Sequence, residues 1–327
     1  MTDVVPTQPR NLPLFVTTET CSGGTYIVTG ANTGLGLEAA KHLVNLGAAK
    51  VIMGVRNVPA GETAKAEIEA ATGKSNVAEV WALDLSSYAS VKAFAKKVIA
   101  ELDRIDALIE NAGVAMAQRV LAEGHIVPLT VNVYSTFLLG VMLLPKMSEG
   151  AQKFGILPHL VIITSRVGFD FKEDWDSVKD DPMGKMDAED MVGLKTYPLS
   201  KLLEIMAVRH LAPLMPVSRT GVVINVVCPG LCKTDLSRNA PPAFRERLAA
   251  QHEKYGRTAE DGSRTLLHGA VAGKESHGCF LDSCTIAENV VPSWLTDEES
   301  KQAQKRVWNG IAKELERVEP GCVERIL

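Results

Sequence analysis

The chain has 327 residues, enough for one elaborated α/β domain or two small ones, and 46% hydrophobic residues can fill a sizeable core. Its 35 basic and 39 acidic side chains leave a net charge of −4, which excludes a strongly basic nucleic-acid footprint and gives no pull toward anionic lipid. The six cysteines (Cys21, Cys228, Cys232, Cys279, Cys284, Cys322) form no Cys-x-x-Cys pair and no zinc-like spacing with histidine, so no metal site is expected. Such sparse usage fits thiols in a reducing compartment, with pairing of Cys279 and Cys284 left open.

Residues 1–20 are polar, carry Pro6, Pro9 and Pro13, and lack the apolar run of a secretory signal. They read as an N-terminal arm, and a cytoplasmic location is the expectation. From Gly24 onward, short β-branched runs alternate with longer amphipathic stretches. Residues 25–29 (TYIVT) predict a buried strand, and a glycine turn leads to a helix over 35–46, where Leu35, Ala39, Leu43, Val44 and Leu46 fall near helical spacing. Strand 50–55, helix 60–71, strand 77–83, helix 90–102 and strand 105–109 follow. The apolar stretch 129–144 is shorter than the ~20 residues a membrane span needs. It is interrupted by Asn132, Tyr134, Ser135 and Thr136 and closed by Pro145, so it predicts a buried helix over about 129–147 rather than a span. Strand 160–164, helix 199–211 and a sixth strand over 222–227 complete the series. Residues 236–327 read as mainly helical and polar, a cap packed around Pro292, Trp294 and Trp308. Regular alternation of this kind implies right-handed βαβ units. The expected architecture is a Rossmann-type doubly wound parallel sheet with helices on both faces. It forms a single domain over 21–327, with a C-terminal helical elaboration over 235–327.

The first strand runs into Thr29-Gly30-Ala31-Asn32-Thr33-Gly34-Leu35-Gly36. Glycines at 30, 34 and 36 let the backbone turn sharply and approach a pyrophosphate, while the next helix offers free N–H groups and a positive dipole end. Gly30, Asn32, Thr33, Gly34, Leu35 and Gly36 are therefore candidate cofactor contacts. At the end of the second strand, where Asp or Glu would meet a free ribose 2′-hydroxyl, the chain presents Arg56, a fork suited to a 2′-phosphate. The expected cofactor is NADP(H). Asp84-Leu85 after the third strand can meet the adenine amino group, and Asn111-Ala112-Gly113 after the fourth supplies a small-residue floor.

Tyr197 and Lys201, four residues apart, share a helix face, and Ser165 follows the fifth strand. A phenol of ordinary pKa near 10 is a poor acid–base at neutral pH. An ammonium at ~4 Å in an effective dielectric of ~20 contributes about 4 kcal/mol, which predicts a phenol pKa lowered into the working range. Ser165 can hold a carbonyl oxygen, and Asn132 can anchor a water joining Lys201 to solvent. No Gly-x-Ser-x-Gly elbow is present, and the seven histidines are scattered outside any nucleophile motif.

With these motifs in order over residues 22–235, the chain resembles a short-chain dehydrogenase/reductase. The resemblance implies a catalytic set of Asn132, Ser165, Tyr197 and Lys201, with Lys201 also on the nicotinamide ribose. It also implies nicotinamide-end contacts from Pro229, Gly230, Cys232 and Thr234. The phrases ENAGV (110–114), VNVYSTFLL (131–139) and YPLSKLLE (197–204) resemble fungal members of secondary-metabolite pathways, and the architecture is similar to retinol-dehydrogenase-like members that use NADP. Glu110 stands where many members have a second Asn, and no role is assigned to it. Between Ser165 and Tyr197 the chain is longer than in the simplest members. This insert, 166–196, carries Asp170, Glu173, Asp174, Asp176, Asp180 and Asp181 and reads as a solvated acidic loop. Pro198 places a helix start or bend near Thr196. The expected substrate is a small hydrophobic ketone, aldehyde or secondary alcohol held between the insert and 235–260. No nucleic acid or membrane partner is expected, and the family's habit implies a homodimer or homotetramer. Two rival readings are imine reduction or reduction-coupled cyclisation at the same site, and an NADP(H)-binding sensor or scaffold without turnover. A tuned phenol argues against the sensor.

Overall fold

A computed structural model describes residues 8–327. The β-branched runs form the main sheet: β1 (Thr25–Thr29), β2 (Lys50–Val55), β3 (Ala78–Ala82), β4 (Ala107–Glu110), β5 (His159–Ile163) and β6 (Val223–Cys228). Their order is 3-2-1-4-5-6, all parallel. Strands β1, β4, β5 and β6 are buried at every position, because helices cover both faces of a parallel sheet. Apolar clusters accordingly lie on both sides of the sheet.

The connecting helices are α1 (Gly34–Asn45), α2 (Val58–Thr72), α3 (Tyr88–Glu101), α4 (Thr136–Phe154) and α5 (Thr196–Leu214). Asn57 and Ser87 cap α2 and α3 through their side chains, which starts both helices two residues before the periodicity alone suggests. Helix α4 is preceded by a π-helical turn over Leu129–Ser135 and runs through Pro145 to a left-handed Gly155. The helix thus runs past its expected end near 147. A proline within a helix costs about 3 kcal/mol, and here burial of the surrounding face outweighs it. The combined segment Leu129–Phe154 is long and apolar enough to cross a membrane, yet 89% of its most apolar window is buried in the protein.

Beyond β6 come α6 (Pro242–Tyr255), α7 (Ala259–Gly269) and α8 (Glu298–Val318). The C-terminal region is not only helical: β7 (Phe280–Asp282) joins β6 in parallel, and β8 (Thr285–Ile286) pairs back antiparallel, giving eight strands. Three residues are too few to show a period, so the strand is visible only once β6 offers an edge. Trp308 is buried in the core, as expected of a packed cap. All six cysteines are free.

The insert departs from the loop reading. Helical turns over Arg166–Asp170, Lys172–Val178 and Pro182–Met186 send Trp175, Val178 and Met186 into the core, Met191 follows from the next segment, and acidic side chains lie on the outer face. The described part of the arm, from Gln8, lies against the C-terminal region, where Asp261 accepts from the amides of Asn11 and Leu12 at 3.1 and 2.6 Å.

Candidate active site

The strand order reverses between β1 and β4, the place where open α/β sheets hold ligands beyond the strands' carboxyl ends. Gly30 and Gly34 adopt φ of +66° and +59°, a region that suits residues lacking Cβ. A Cβ on Gly36 would lie 2.6 Å from both the Asn111 amide nitrogen and the Gly30 carbonyl. Asn111 donates to the Thr29 carbonyl at 2.9 Å, and the Ala112 amide donates to the Thr29 hydroxyl at 2.9 Å, so the end of β4 braces the turn. Thr33 begins α1 without a side-chain cap, which leaves first-turn N–H groups for an anion. Asn32 and Leu35 are half-buried in the same turn. A Cβ on Gly34 would touch Thr234 at 3.5 Å, so the loop after β6 closes over the cradle.

Around this cradle the remaining candidate contacts fall at strand ends. Arg56 is exposed at the end of β2 with no acidic residue in its place. Asp84 accepts from the Ser86 amide and hydroxyl at 2.9 and 2.7 Å, and Leu85 is buried. Cys232 is buried with its thiol donating to Pro229 at 3.3 Å, and Gly230 has φ of +78°. The glycine cradle, the uncapped helix start and the cationic strand end fit a dinucleotide.

Helix α5 begins at Thr196, as Pro198 in its first turn predicts. Tyr197 is half-buried and hydrogen-bonded to Ser165. The Lys201 ammonium lies 5.9 Å from the Tyr197 ring centroid. It donates to the Ile163 carbonyl at 2.8 Å and to Glu204 Oε1 at 2.7 Å, while Thr164 donates to the Lys201 carbonyl at 2.8 Å. Asn132, in the π-helical turn, is fully buried. It accepts from the Val114 amide at 2.9 Å and donates to the Val114 carbonyl at 3.0 Å and the Ser200 hydroxyl at 2.9 Å. Ser200 in turn donates to the Tyr197 carbonyl at 2.8 Å. A Cβ on Gly113 would lie 3.3 Å from Asn132 Oδ1 and 3.5 Å from Lys201 Nζ, so these side chains converge on that glycine.

The expected lowering of the Tyr197 pKa is corrected. Burial pushes the phenol up, the Glu204 carboxylate pushes it further, Cys228 adds to this, and only the Ser165 bond acts against it. Burial is the first cause, and Glu204, whose own carboxyl burial pushes up to about 7, lies against Lys201. A lone acid among Leu202, Leu203, Ile205 and Met206 was the available signal. Glu110 is also buried, and neither of its carboxyl oxygens has a hydrogen-bond partner. Among the described residues no group of three or more His, Cys, Asp or Glu is placed to hold a metal ion.

Strand order, cradle and the Ser165–Tyr197–Lys201 cluster define a Rossmann-type oxidoreductase. The family described as short chain dehydrogenase matches residues 25–175. The short chain dehydrogenase/reductase dmxR8 of Cryptosporiopsis sp. is 41% identical over 312 residues, covering 92% of this chain and 93% of that protein. The short-chain dehydrogenase/reductase phmF of Phaeosphaeria nodorum is 37% identical, covering 96% and 93%. Among solved structures, a Shigella flexneri short chain dehydrogenase complexed with NADP superposes with a TM-score of 0.60 at 20% identity, over 82% of this chain and 100% of that one. A 3-ketoacyl-(acyl-carrier-protein) reductase from Brucella melitensis complexed with NADH gives 0.60 at 20% identity, over 80% and 97%. These two share the fold. The chain belongs to the short-chain dehydrogenase/reductase family, whose members use nicotinamide cofactors on small substrates.

Proposed function

We propose that the protein is an NADP(H)-dependent reductase of a hydrophobic ketone or aldehyde, running in reverse on the corresponding alcohol (a secondary alcohol for a ketone), in a fungal secondary-metabolite pathway. The observation that carries this reading is the Ser165–Tyr197–Lys201 cluster beside the glycine cradle. The nicotinamide, when bound, supplies the hydride. The neutral Tyr197 phenol gives its proton to the carbonyl oxygen, which Ser165 orients through its hydroxyl. Lys201 underlies the phenol and serves the nicotinamide ribose. Asn132, through Val114 and Ser200, keeps the start of α5 in register with the floor at 111–113. The first turn of α1 holds the pyrophosphate, Asp84 and Leu85 border the adenine, and Pro229, Gly230, Cys232 and Thr234 border the nicotinamide. Arg56 selects the 2′-phosphate. The substrate lies between the 166–196 insert and 235–260. The working assembly is a homodimer or homotetramer in the cytoplasm.

The test follows NADPH and NADH consumption against hydrophobic ketones, aldehydes, quinones and cyclic imines, with Tyr197→Phe alongside. Carbonyl turnover that falls about 10²–10⁴-fold in the Phe variant is the expected result. Turnover that survives the substitution removes Tyr197 as proton donor. Cofactor binding with no turnover favours a sensor, and turnover confined to imines favours the cyclisation chemistry.

A further inference from the structure

The residue that follows Ser165 has no part in the chemistry above. Arg166 opens the insert just past the carboxyl end of β5. Its amide donates to Cys228 Sγ at 3.5 Å, and its guanidinium Nη1 lies 3.6 Å from Asp282 Oδ2, so it reaches across the carboxyl ends of β5, β6 and β7. A Cβ on Gly168 would lie 2.9 Å from the Pro198 carbonyl oxygen. The turn that carries Arg166 therefore packs directly on the turn of α5 that carries Tyr197. Arg166 is held at a fixed place beside the reacting group.

The donors of this guanidinium are unspent. At 3.6 Å the contact with Asp282 is an ion pair without a hydrogen bond, and the guanidinium donates to no acceptor among the described residues. Asp282 is engaged elsewhere: Oδ1 accepts from the Ser283 hydroxyl at 2.6 Å, and that hydroxyl accepts from Arg257 Nη2 at 2.6 Å. Arg166 and, through Ser283, Arg257 thus share one carboxylate. The Arg166 side chain is 36% exposed and that of Asp282 11%, so the cation rather than the acid is open to an incoming molecule.

We propose that Arg166 is a substrate-recognition residue, and that the substrate is a ketone or aldehyde carrying an anionic oxygen group, a carboxylate or a phenolate, a few bonds from the reacting carbonyl. This narrows the substrate class and rests on the reductase reading above. Consecutive residues are about 3.8 Å apart at Cα. A carbonyl held by the Ser165 hydroxyl therefore leaves a second oxygen group of the same small molecule within range of the guanidinium. A planar fork with its donors free matches the two oxygens of a carboxylate, and it can also grip the single oxygen of a phenolate. The hydrophobic body of the substrate remains, and the anionic group fixes which way round it lies.

The test uses the full chain and two pairs of aryl ketones. One pair is para-acetylbenzoate and its methyl ester; the other is para-hydroxyacetophenone, ionised, and para-methoxyacetophenone. The unaltered protein should favour the anion of at least one pair by about 10- to 100-fold in kcat/KM. Preference in the first pair marks a carboxylate, and in the second a phenolate. Arg166→Met should erase the preference, whereas Arg166→Lys should keep part of it, because the charge remains and the fork is lost. If Arg166→Met fails to fold, Arg166→Gln, which also removes the charge, takes its place. Titration of the same pairs by tryptophan fluorescence, against protein saturated with NADP⁺, reads the preference without turnover. Anion-selective binding that persists in Tyr197→Phe and is lost in Arg166→Met supports the proposal even where no ketone is reduced, so its failure and that of the reductase mechanism are told apart. Equal loss on both members of a pair overturns it, as does a raised KM for NADPH with the preference intact. Unaltered protein that neither binds nor turns over either anion in preference to its neutral partner also overturns it.

Discussion

Arg56 stands at the end of β2 with its guanidinium in solvent, where a carboxylate would repel a 2′-phosphate and a guanidinium can grip one in bidentate fashion. A charge-assisted hydrogen bond of about 1.5–3 kcal/mol corresponds to roughly 10- to 100-fold in kcat/KM. Arg56→Ala should lose that factor with NADPH and change little with NADH, measured as initial rates with each cofactor. An equal loss for both would mean that Arg56 shapes the fold of the strand end rather than choosing the cofactor. At the same scale, the four-residue spacing of Tyr197 and Lys201 correctly implied a shared face. Spacing says nothing of burial, the largest cause raising the phenol, nor of Glu204 one turn on, which adds to it.

The element that departs most from its sequence reading is the insert. Its acidic residues recur at the outer face of short helical turns, while Trp175 and Met186 point inward, so a charge run concealed an amphipathic segment. Asp187 ties this insert to the 121–126 hairpin: it accepts from the Ile126 amide at 2.9 Å and is paired with His125 Nδ1. His125 Nε2 contacts Glu314 of α8 at 3.2 Å, and Tyr88 donates to the same carboxylate at 3.0 Å. The hydrogen bond to Asp187 is the largest cause raising the His125 pKa above its ordinary value. A raised histidine contributes stability that is fully present below the unfolded value near 6.5 and is lost as pH rises through the folded value. Hydrogen-exchange protection around 180–190, corrected for intrinsic exchange, should therefore fall as pH climbs above 6.5. His125→Gln should flatten that dependence, and an unchanged slope would show that the latch is not protonation-linked.

Across the whole molecule, Arg257 joins segments far apart in sequence. It is 1% exposed and donates to Pro9 at 2.9 Å, to Pro229 at 2.6 Å and to Ser283 at 2.6 Å. Gln8 completes the junction by exchanging bonds with the backbone of Leu231, at 2.7 Å to its carbonyl and 2.9 Å from its amide. The arm thus braces the loop proposed to face the nicotinamide. Arg257→Met would remove three hydrogen bonds to part-buried acceptors, at about 1 kcal/mol each. A Tm lower by several degrees, together with a raised cofactor KM, is the expected outcome. A lowered Tm with unchanged KM would confine Arg257 to a stabilising role.

Local pattern accounts for what could be read in advance. The six β-branched runs, the alternating helices, the glycine turn and the Tyr197–Lys201 spacing all depend on residues within a few positions of each other, where backbone periodicity of two or 3.6 leaves its mark. Nothing local marks β7, which is three residues long and exists because β6 has an open edge. The same holds for the arm on the loop after β6 and for the carboxylate beside Lys201. Burial and pairing are properties of neighbours brought together across the fold, and they set both the charge state of the site and the strands that short sequence runs cannot announce.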